Sequence, residues 1–568
     1  DGNGKTLSNL NIEQSFNGDI GLFGRVIDAN ISNLNISNPT LKGYYNIGTL
    51  AGYANRTNVN NVDITNLTIT GDSTSPNGKM GGLIGHNTVS TTGTYTLQNS
   101  QVSGTINGFG SHIGGLVGHN EKIAISDSSA NVAVTSTTGG YVAGLVGYNS
   151  LANITNSSAI GNVTATGRSY IGGLIGFNTG VSSTGSLISG SFATGKVIGA
   201  SYVGGLIGYN TTYSTVNGSY ATGDVEATGS YVGGLIGQNL SYSNIGASSA
   251  NYATGNVTGT YYVGGLIGQN SNSTVNNSYT GIKTDGTITT KAGTVTGTAT
   301  TGYVGGLIGQ NSSGNISNSI ASGDVVSAGD YTGGLIGSNS SSTISNSSSS
   351  GNVTTTNRSY VGGLIGMNST GAISGTTSTS GNVIGGNYTG GLVGYNNSST
   401  ITGATTSGNV LGNQYVGGLV GQNLTNSTIT SSSSSGNVTG KNSSDVYQNY
   451  VGGLVGFNTT SNITSSYHTT GKVMGLDYVG GLVGQNQGTS SPTYTINTSY
   501  ASGEVEGRNY VGGLVGYSYY NSAITNSYVE NGSKVTGIRN VGGLVGMSDT
   551  TASINNKQLL QCKWSNYK

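Results

Sequence analysis

Hydrolytic chemistry needs histidines or acids brought together, and this chain of 568 residues holds four histidines and 19 acids. A zinc protease uses two histidines one helical turn apart with a glutamate between them, so that both ligands share a face. None of His86, His112, His119 and His468 stands in such a pattern. Sugar cleavage needs carboxyls converging on one cleft. The closest pairs, Asp224 with Glu226 and Glu504 with Glu506, alternate along one extended segment, so both members face solvent. Gly4-Lys5-Thr6 has the tail of a phosphate-binding loop, but Asp1 leaves no room for the first glycine of that motif. The G-G-x-G-x-D nonapeptide of calcium-binding solenoids does not occur. The expectation is a chain without catalytic residues, metal or cofactor.

The residues that do recur are of another kind. The pentapeptide G-G-L-[IV]-G occurs fifteen times, with looser copies around Leu22, Leu50 and Leu145. An asparagine closes the motif in fourteen successive copies: Asn87, Asn120, Asn149, Asn178, Asn210, Asn239, Asn270, Asn311, Asn339, Asn368, Asn396, Asn423, Asn458 and Asn486. At such spacing these amides are expected to form an internal ladder, each bonding the next. Thirteen tyrosines, from Tyr141 to Tyr510, stand immediately before the motif, with Gly18, Asn46, Lys79, His112 and Asn540 at that position in other copies. They make an outward column, of which Tyr303, Tyr331 and Tyr360 are the candidate binding face. Stacked tyrosines there would pack sugar rings and offer hydroxyls, or else simply stack on one another and shield the glycine corner. Farther on, Lys472, Glu504 and Lys534 precede a recurring valine where most copies carry Asn, as at Asn352, Asn382, Asn409 and Asn437. Stacked in register, the three would form an outward charge ladder.

Positioning these columns requires one coil per motif. The motif leucines lie 27 to 41 residues apart, and within a coil aliphatic residues return every nine or ten positions, as in Leu392, Ile401, Val410 and Leu419. The segments between them are short, rich in Gly, Asn and Ser, and unsuited to helix. The pattern predicts an all-β fold, a three-sided parallel β-helix (β-solenoid) of about 18 coils of ~30 residues, in which stability comes from stacking. In Tyr231-Val232-Gly233-Gly234-Leu235-Ile236, strict alternation cannot bury Val232, Leu235 and Ile236 together. The glycine pair must therefore be a bulge or a corner, where the chain bends or takes positive φ.

Residues 1–554 read as a single continuous solenoid whose first coils, 1–70, are atypical, and 555–568, with Trp564, as a cap or tail. Insertions at 280–298 and 441–448 are expected to protrude. Composition agrees with ordered β-structure: 102 Gly, 3 Pro and 35 Tyr, with 19 basic and 19 acidic residues. Net neutrality argues against nucleic acid as a partner. One cysteine, Cys562, rules out an intrachain disulfide. No apolar run approaches the ~20 residues of a membrane-spanning helix. The chain opens at Asp1 without an export signal, as a processed or excised piece of a longer protein would.

G-L-[IV]-G in nearly every coil, followed by the phrase S-Y-A-T-G-x-V of Ser219 to Val225, resembles the GLUG-repeat family, and the opening Asp1 to Leu10 is similar to the phrase that begins such arrays. The resemblance implies a repeat module of secreted or surface-attached bacterial and archaeal proteins, including adhesins, haemagglutinin-like proteins and the non-catalytic region of some immunoglobulin A metalloproteases. It implies motif positions that are structural.

The leading functional expectation is a non-enzymatic extracellular rod, an adhesin-like stalk or contact surface of a microbial cell-surface protein. Its partner would be a surface receptor or glycan on a host or neighbouring cell. Two alternatives stand beside it: a structural filament subunit that joins copies of itself head to tail, and a solenoid that contacts carbohydrate or ice through its tyrosine face.

Overall fold

A computed structural model describes the chain apart from residues 15, 17, 73–76, 91–92, 182–183, 285–286, 490–493 and 556–568. The cap expected at 555–568 lies outside the described residues beyond Asn555. The chain is a parallel β-solenoid of about eighteen turns, built of three or four sheets, and no helix occurs among the described residues. None is therefore long and apolar enough to cross a membrane. The chain divides into two compact units, Asp1–Thr294 and Val295–Lys568, with nine motif leucines in each.

One turn of the second unit shows the plan. Its strands are Thr389–Gly390, Val393–Asn397, Thr400–Thr402, Thr405–Thr406 and Val410–Gly412. Each pairs in parallel with its counterpart one turn on: Thr389 with Val416, Val393 with Val420, Ile401 with Ile429, Thr406 with Ser434 and Val410 with Val438. Strands this short cannot hold together alone. Stacking supplies the missing partners, and a thin core fills the turn. Val410, Val416, Val438, Val451, Val473, Val479, Val505 and Val511 form one buried cluster of valines from two facing columns. Burying a side chain of this size contributes about 1.5–3 kcal/mol.

The glycine pair is a corner, so the stretch that alternation treated as one face is divided between two sheets. In the first unit, the strand Val232–Gly233 ends before it and Ile236–Asn239 begins after it. Leu235 spans the bend with its backbone N–H donated to the Leu266 carbonyl, 2.9 Å away in the next turn. Neither Gly233 nor Gly234 takes positive φ. Glycine is required by close approach: a Cβ on Gly233 would collide with the Ile236 carbonyl oxygen, and one on Gly234 with the Gly265 carbonyl.

Positive φ is carried by other residues. In the turn that starts at Tyr450, the left-handed positions are Tyr450 (φ 62°), Thr470 (φ 64°), Thr460 (φ 47°) and Ser465 (φ 49°). After each of the last two comes a buried serine, Ser461 and Ser466. The Ser427 N–H donates to the Ser461 hydroxyl and the Ser432 N–H to the Ser466 hydroxyl, both at 3.2 Å. Ser466 passes its own proton to the Thr464 carbonyl at 2.8 Å. The serines thus satisfy backbone groups that no ladder reaches at the bends.

The atypical character of the first coils extends past residue 70. Long strands, Asn30–Ser37, Asn58–Gly71, Gln101–Gly108 and Ser129–Ser136, run through bends that later turns break into pairs. The insertion after Thr280 forms an antiparallel hairpin, Ile282–Thr284 with Thr287–Thr290, outside the parallel stack. The insertion at 441–448 is closed by an antiparallel bridge between Lys441 and Tyr447 and exposes Val446.

Candidate functional site

The motif asparagines project inward at the end of the strand that follows the glycine corner. In the first unit, the Nδ2 of Asn87 donates to the Oδ1 of Asn120 at 3.3 Å, and the same bond links Asn120, Asn149, Asn178, Asn210, Asn239 and Asn270 at 2.8–2.9 Å. In the second unit it joins Asn311, Asn339, Asn368, Asn396, Asn423, Asn458 and Asn486 at 2.8–3.0 Å. Many of these amides spend a second proton on a carbonyl at the adjacent bend, as Asn120 does on Ile123 and Asn458 on Ser461, both at 2.9 Å. The side chain thus fastens one turn to the next and also closes its own bend. Where the column stops, single atoms are left over: the buried Oδ1 of Asn87 and the buried Nδ2 of Asn486 have no partner.

The tyrosine column lies on the outside of the same corner. In the second unit, Tyr303, Tyr331, Tyr360, Tyr388, Tyr415, Tyr450, Tyr478 and Tyr510 stack without interruption, with centroids 4.7–5.1 Å apart and planes within 10° of parallel. In the first unit, Tyr170, Tyr202, Tyr231 and Tyr262 stack with centroids 4.6–4.8 Å apart and planes within 17° of parallel, while Tyr141 tilts by 35° against Tyr170. The expected packing of sugar rings on tyrosine faces does not fit this arrangement, because neighbouring rings occupy those faces. Outward access is left to ring edges and hydroxyls. Burial pushes the hydroxyls of Tyr360, Tyr415 and Tyr478 above the usual phenol range.

Nine of the thirteen tyrosines hold left-handed backbone, from Tyr202 at φ 53° to Tyr231 at φ 64°. For a side chain with a Cβ this costs about 1–2 kcal/mol, while a stacked aromatic pair returns about 0.5–1.5 kcal/mol beyond its buried area. The two nearly cancel. Asn540 occupies the same position at φ 53°, and asparagine visits this region routinely. In the first turn, which lacks one residue before Leu22, Asp19 and not Gly18 pairs with Asn46 in the column.

A second outward column, absent from the sequence reading, is formed by the residue before each motif asparagine. His86, His119, Tyr148, Phe177 and Tyr209 stack there in the first unit. In the second, Tyr395 sets its edge against Tyr360 and Tyr388, and Phe457 lies tilted beside Tyr415 and Tyr450. Its signal was the alternation in G-x-N, where x is aromatic, His, Gln or Met in nearly every copy. His112 belongs to the tyrosine column and packs on His119 at 4.9 Å. Burial, reinforced by neighbouring cationic and imidazole groups, holds His86, His112 and His119 down to about 3. Among the described residues, no group of three His, Cys, Asp or Glu side chains is placed to hold a metal ion.

The positions before the third-face valine explain their own asparagines. The Oδ1 of Asn352 accepts the Asn382 N–H, Asn382 accepts from Asn409, and Asn409 from Asn437, each at 3.0 Å. Asn437 accepts the Lys472 N–H at 2.8 Å, and there the row of amides ends. Lys472, Glu504 and Lys534 all point outward, with Glu504 and Lys534 paired in register. The shortest ion pair joins Lys472 to Glu506, at 2.7 Å, against 3.8 Å to Glu504. A long side chain reaches the diagonal neighbour across parallel strands as easily as the one directly opposite.

With the repeating geometry in place, the family can be read from it. The GLUG motif matches residues 109–135, 138–164, 199–226, 300–326, 328–354, 412–439 and 507–536, seven times along the chain. This is a GLUG-repeat chain. Each match covers about one turn, and in the GLUG repeats the Gly-Leu corner and the buried asparagine are structural positions. No curated protein matches the chain. No solved structure matches it either.

Proposed function

We propose that this GLUG-repeat chain is a non-catalytic, extracellular repeat segment, the stalk or contact surface of a microbial surface or secreted protein. One observation carries the reading: the polar side chains that recur in every turn are spent on stacking turns together, as the asparagine row does from Asn311 to Asn486. What faces outward, Tyr, Thr, Ser and Asn in long columns, is a repeated contact surface rather than one converging site. Several acids are held in ion pairs, as Glu226 is with Lys196 at 2.6 Å.

The test is to display the chain on a non-adherent bacterium and score attachment to epithelial cells and to sister cells. Attachment above the empty display scaffold supports the reading, and none on either surface overturns it. Light scattering of the purified chain checks the filament alternative, which requires particles that grow with concentration.

A further inference from the structure

The second unit presents a row of hydroxyls that the protein itself does not use. Among the described residues, the phenol groups of Tyr331, Tyr360, Tyr388, Tyr415, Tyr450, Tyr478 and Tyr510 form no hydrogen bond within the chain. The rings that carry them follow one another at 4.9–5.1 Å. A phenol both donates and accepts hydrogen bonds, so this is a row of amphoteric groups at regular spacing. Stacking does not account for the residue chosen: the left-handed backbone at Tyr360, Tyr388, Tyr415, Tyr450, Tyr478 and Tyr510 works against it, and phenylalanine would stack as well. What tyrosine adds is the hydroxyl. On one side the ring edges are backed by Tyr395, Phe457 and Tyr517, which fixes the rings and leaves the hydroxyl edge as the free side. The strip carries little net charge: Arg508 grips Asp477 beside it through two bonds of 2.8 and 3.1 Å, and Asp330, beside Tyr331 and Tyr360, is matched in number by Arg358.

We infer that this tyrosine row is a binding strip for an extended, neutral polysaccharide, laid along the column and held by hydroxyl-to-hydroxyl hydrogen bonds rather than by sugar rings on aromatic faces. The inference rests on the contact-surface reading and names the ligand of that surface. A sugar polymer matches the row in three ways: it repeats along a line, each unit both donates and accepts, and it carries no charge to be matched. Each contact is weak, so affinity comes from several tyrosines engaged at once. The interaction is therefore expected to resist salt.

The experiment compares the whole chain with a variant carrying Tyr331→Phe, Tyr360→Phe and Tyr388→Phe, which keeps the stack and removes three hydroxyls. Depletion from solution is measured onto microcrystalline cellulose and onto chitin, with soluble alginate as an anionic comparator. The native chain should bind at least one neutral polymer at both low and high salt, and the variant, with unchanged circular dichroism and thermal midpoint, should bind at least tenfold more weakly. If the variant misfolds, Tyr450→Phe with Tyr478→Phe and Tyr510→Phe replaces it. Three results overturn the inference: no binding of the native chain to either neutral polymer, binding to alginate alone, or equal binding by native and variant chains. Attachment of displayed cells that is insensitive to the variant would keep the contact-surface reading while removing the polysaccharide, so the two fail separately.

Discussion

Asn423 donates its Nδ2 proton to the Oδ1 of Asn458 at 2.9 Å although 35 residues separate them, and the bond is no longer than in a turn of 28 residues, Asn311 to Asn339. The extra length is extruded at 441–448 without disturbing the buried row. Loops of a stacked fold tolerate such insertions because only the turns must meet. Replacing residues 442–447 by two glycines should leave the thermal midpoint within a few degrees of the native value. A large drop would mean that the Lys441 to Asp445 ion pair, at 2.9 Å, holds the turn.

Asn423→Ala leaves two buried groups without partners, the Nδ2 of Asn396 and the Oδ1 of Asn458. Each unsatisfied group costs about 1–3 kcal/mol. Hydrogen exchange should accelerate in this turn and its two neighbours first, since each turn contacts only the next. Uniform acceleration along the unit would show that the row is not the local fastening.

Gly391→Ala pushes a Cβ into the Gly418 carbonyl of the next turn. Backbone cannot give way there without breaking the corner, and the expected cost is about 3 kcal/mol or more. Gly403→Ala is the control: that residue sits at φ 71° with no close neighbour, so its strain stays near 1–2 kcal/mol. Urea unfolding should rank the two in that order.

His468 is wholly buried, with its ring nitrogens 3.0 Å from the Ser434 hydroxyl and 3.2 Å from the Gly471 carbonyl. Burial holds it down to about 4, below its ordinary 6.5. The unfolded chain therefore takes up this proton first. Stability from the neutral ring is complete above about pH 6.5 and declines as pH falls towards 4, by on the order of 3 kcal/mol. His468→Ala, matching Ala501 in the next turn, should flatten that part of the pH profile of the thermal midpoint. An unchanged slope between pH 6.5 and 4 would refute the assignment.

Lys472 leans on Glu506 more than on Glu504, and its ammonium is held above the usual lysine range chiefly by the Glu506 hydrogen bond. Glu506→Lys should therefore lower the thermal midpoint at low salt more than Glu504→Lys. Both losses should stay below about 1 kcal/mol and disappear in high salt. A loss insensitive to salt would place its cause in packing.

The repeat length, the parallel stacking and the inward asparagines could be read from spacing because one-dimensional order places like residues at like positions. Three features could not. Alternation at Val232, Leu235 and Ile236 demanded a break but left bulge and corner equivalent, since both restore parity. The serines at 461 and 466 resembled the surrounding Ser-rich segments, and their task appears only once a left-handed residue before each turns the backbone. The tyrosines left two readings open, rings stacked on one another or rings offered to sugar, because sequence gives their spacing but not the direction of the ring normals, which run along the stack.

Within each unit the amides of the asparagine row point the same way, from the Nδ2 of one turn to the Oδ1 of the next, and an acceptor at Asn87 and a donor at Asn486 stay unmatched. The row has a sense of direction but no preferred length: removing or duplicating a whole turn leaves each remaining donor opposite an acceptor. Copy number is thus decoupled from fold. A gene built this way can lengthen or shorten its product by unequal crossing-over, one turn at a time, with no compensating change elsewhere.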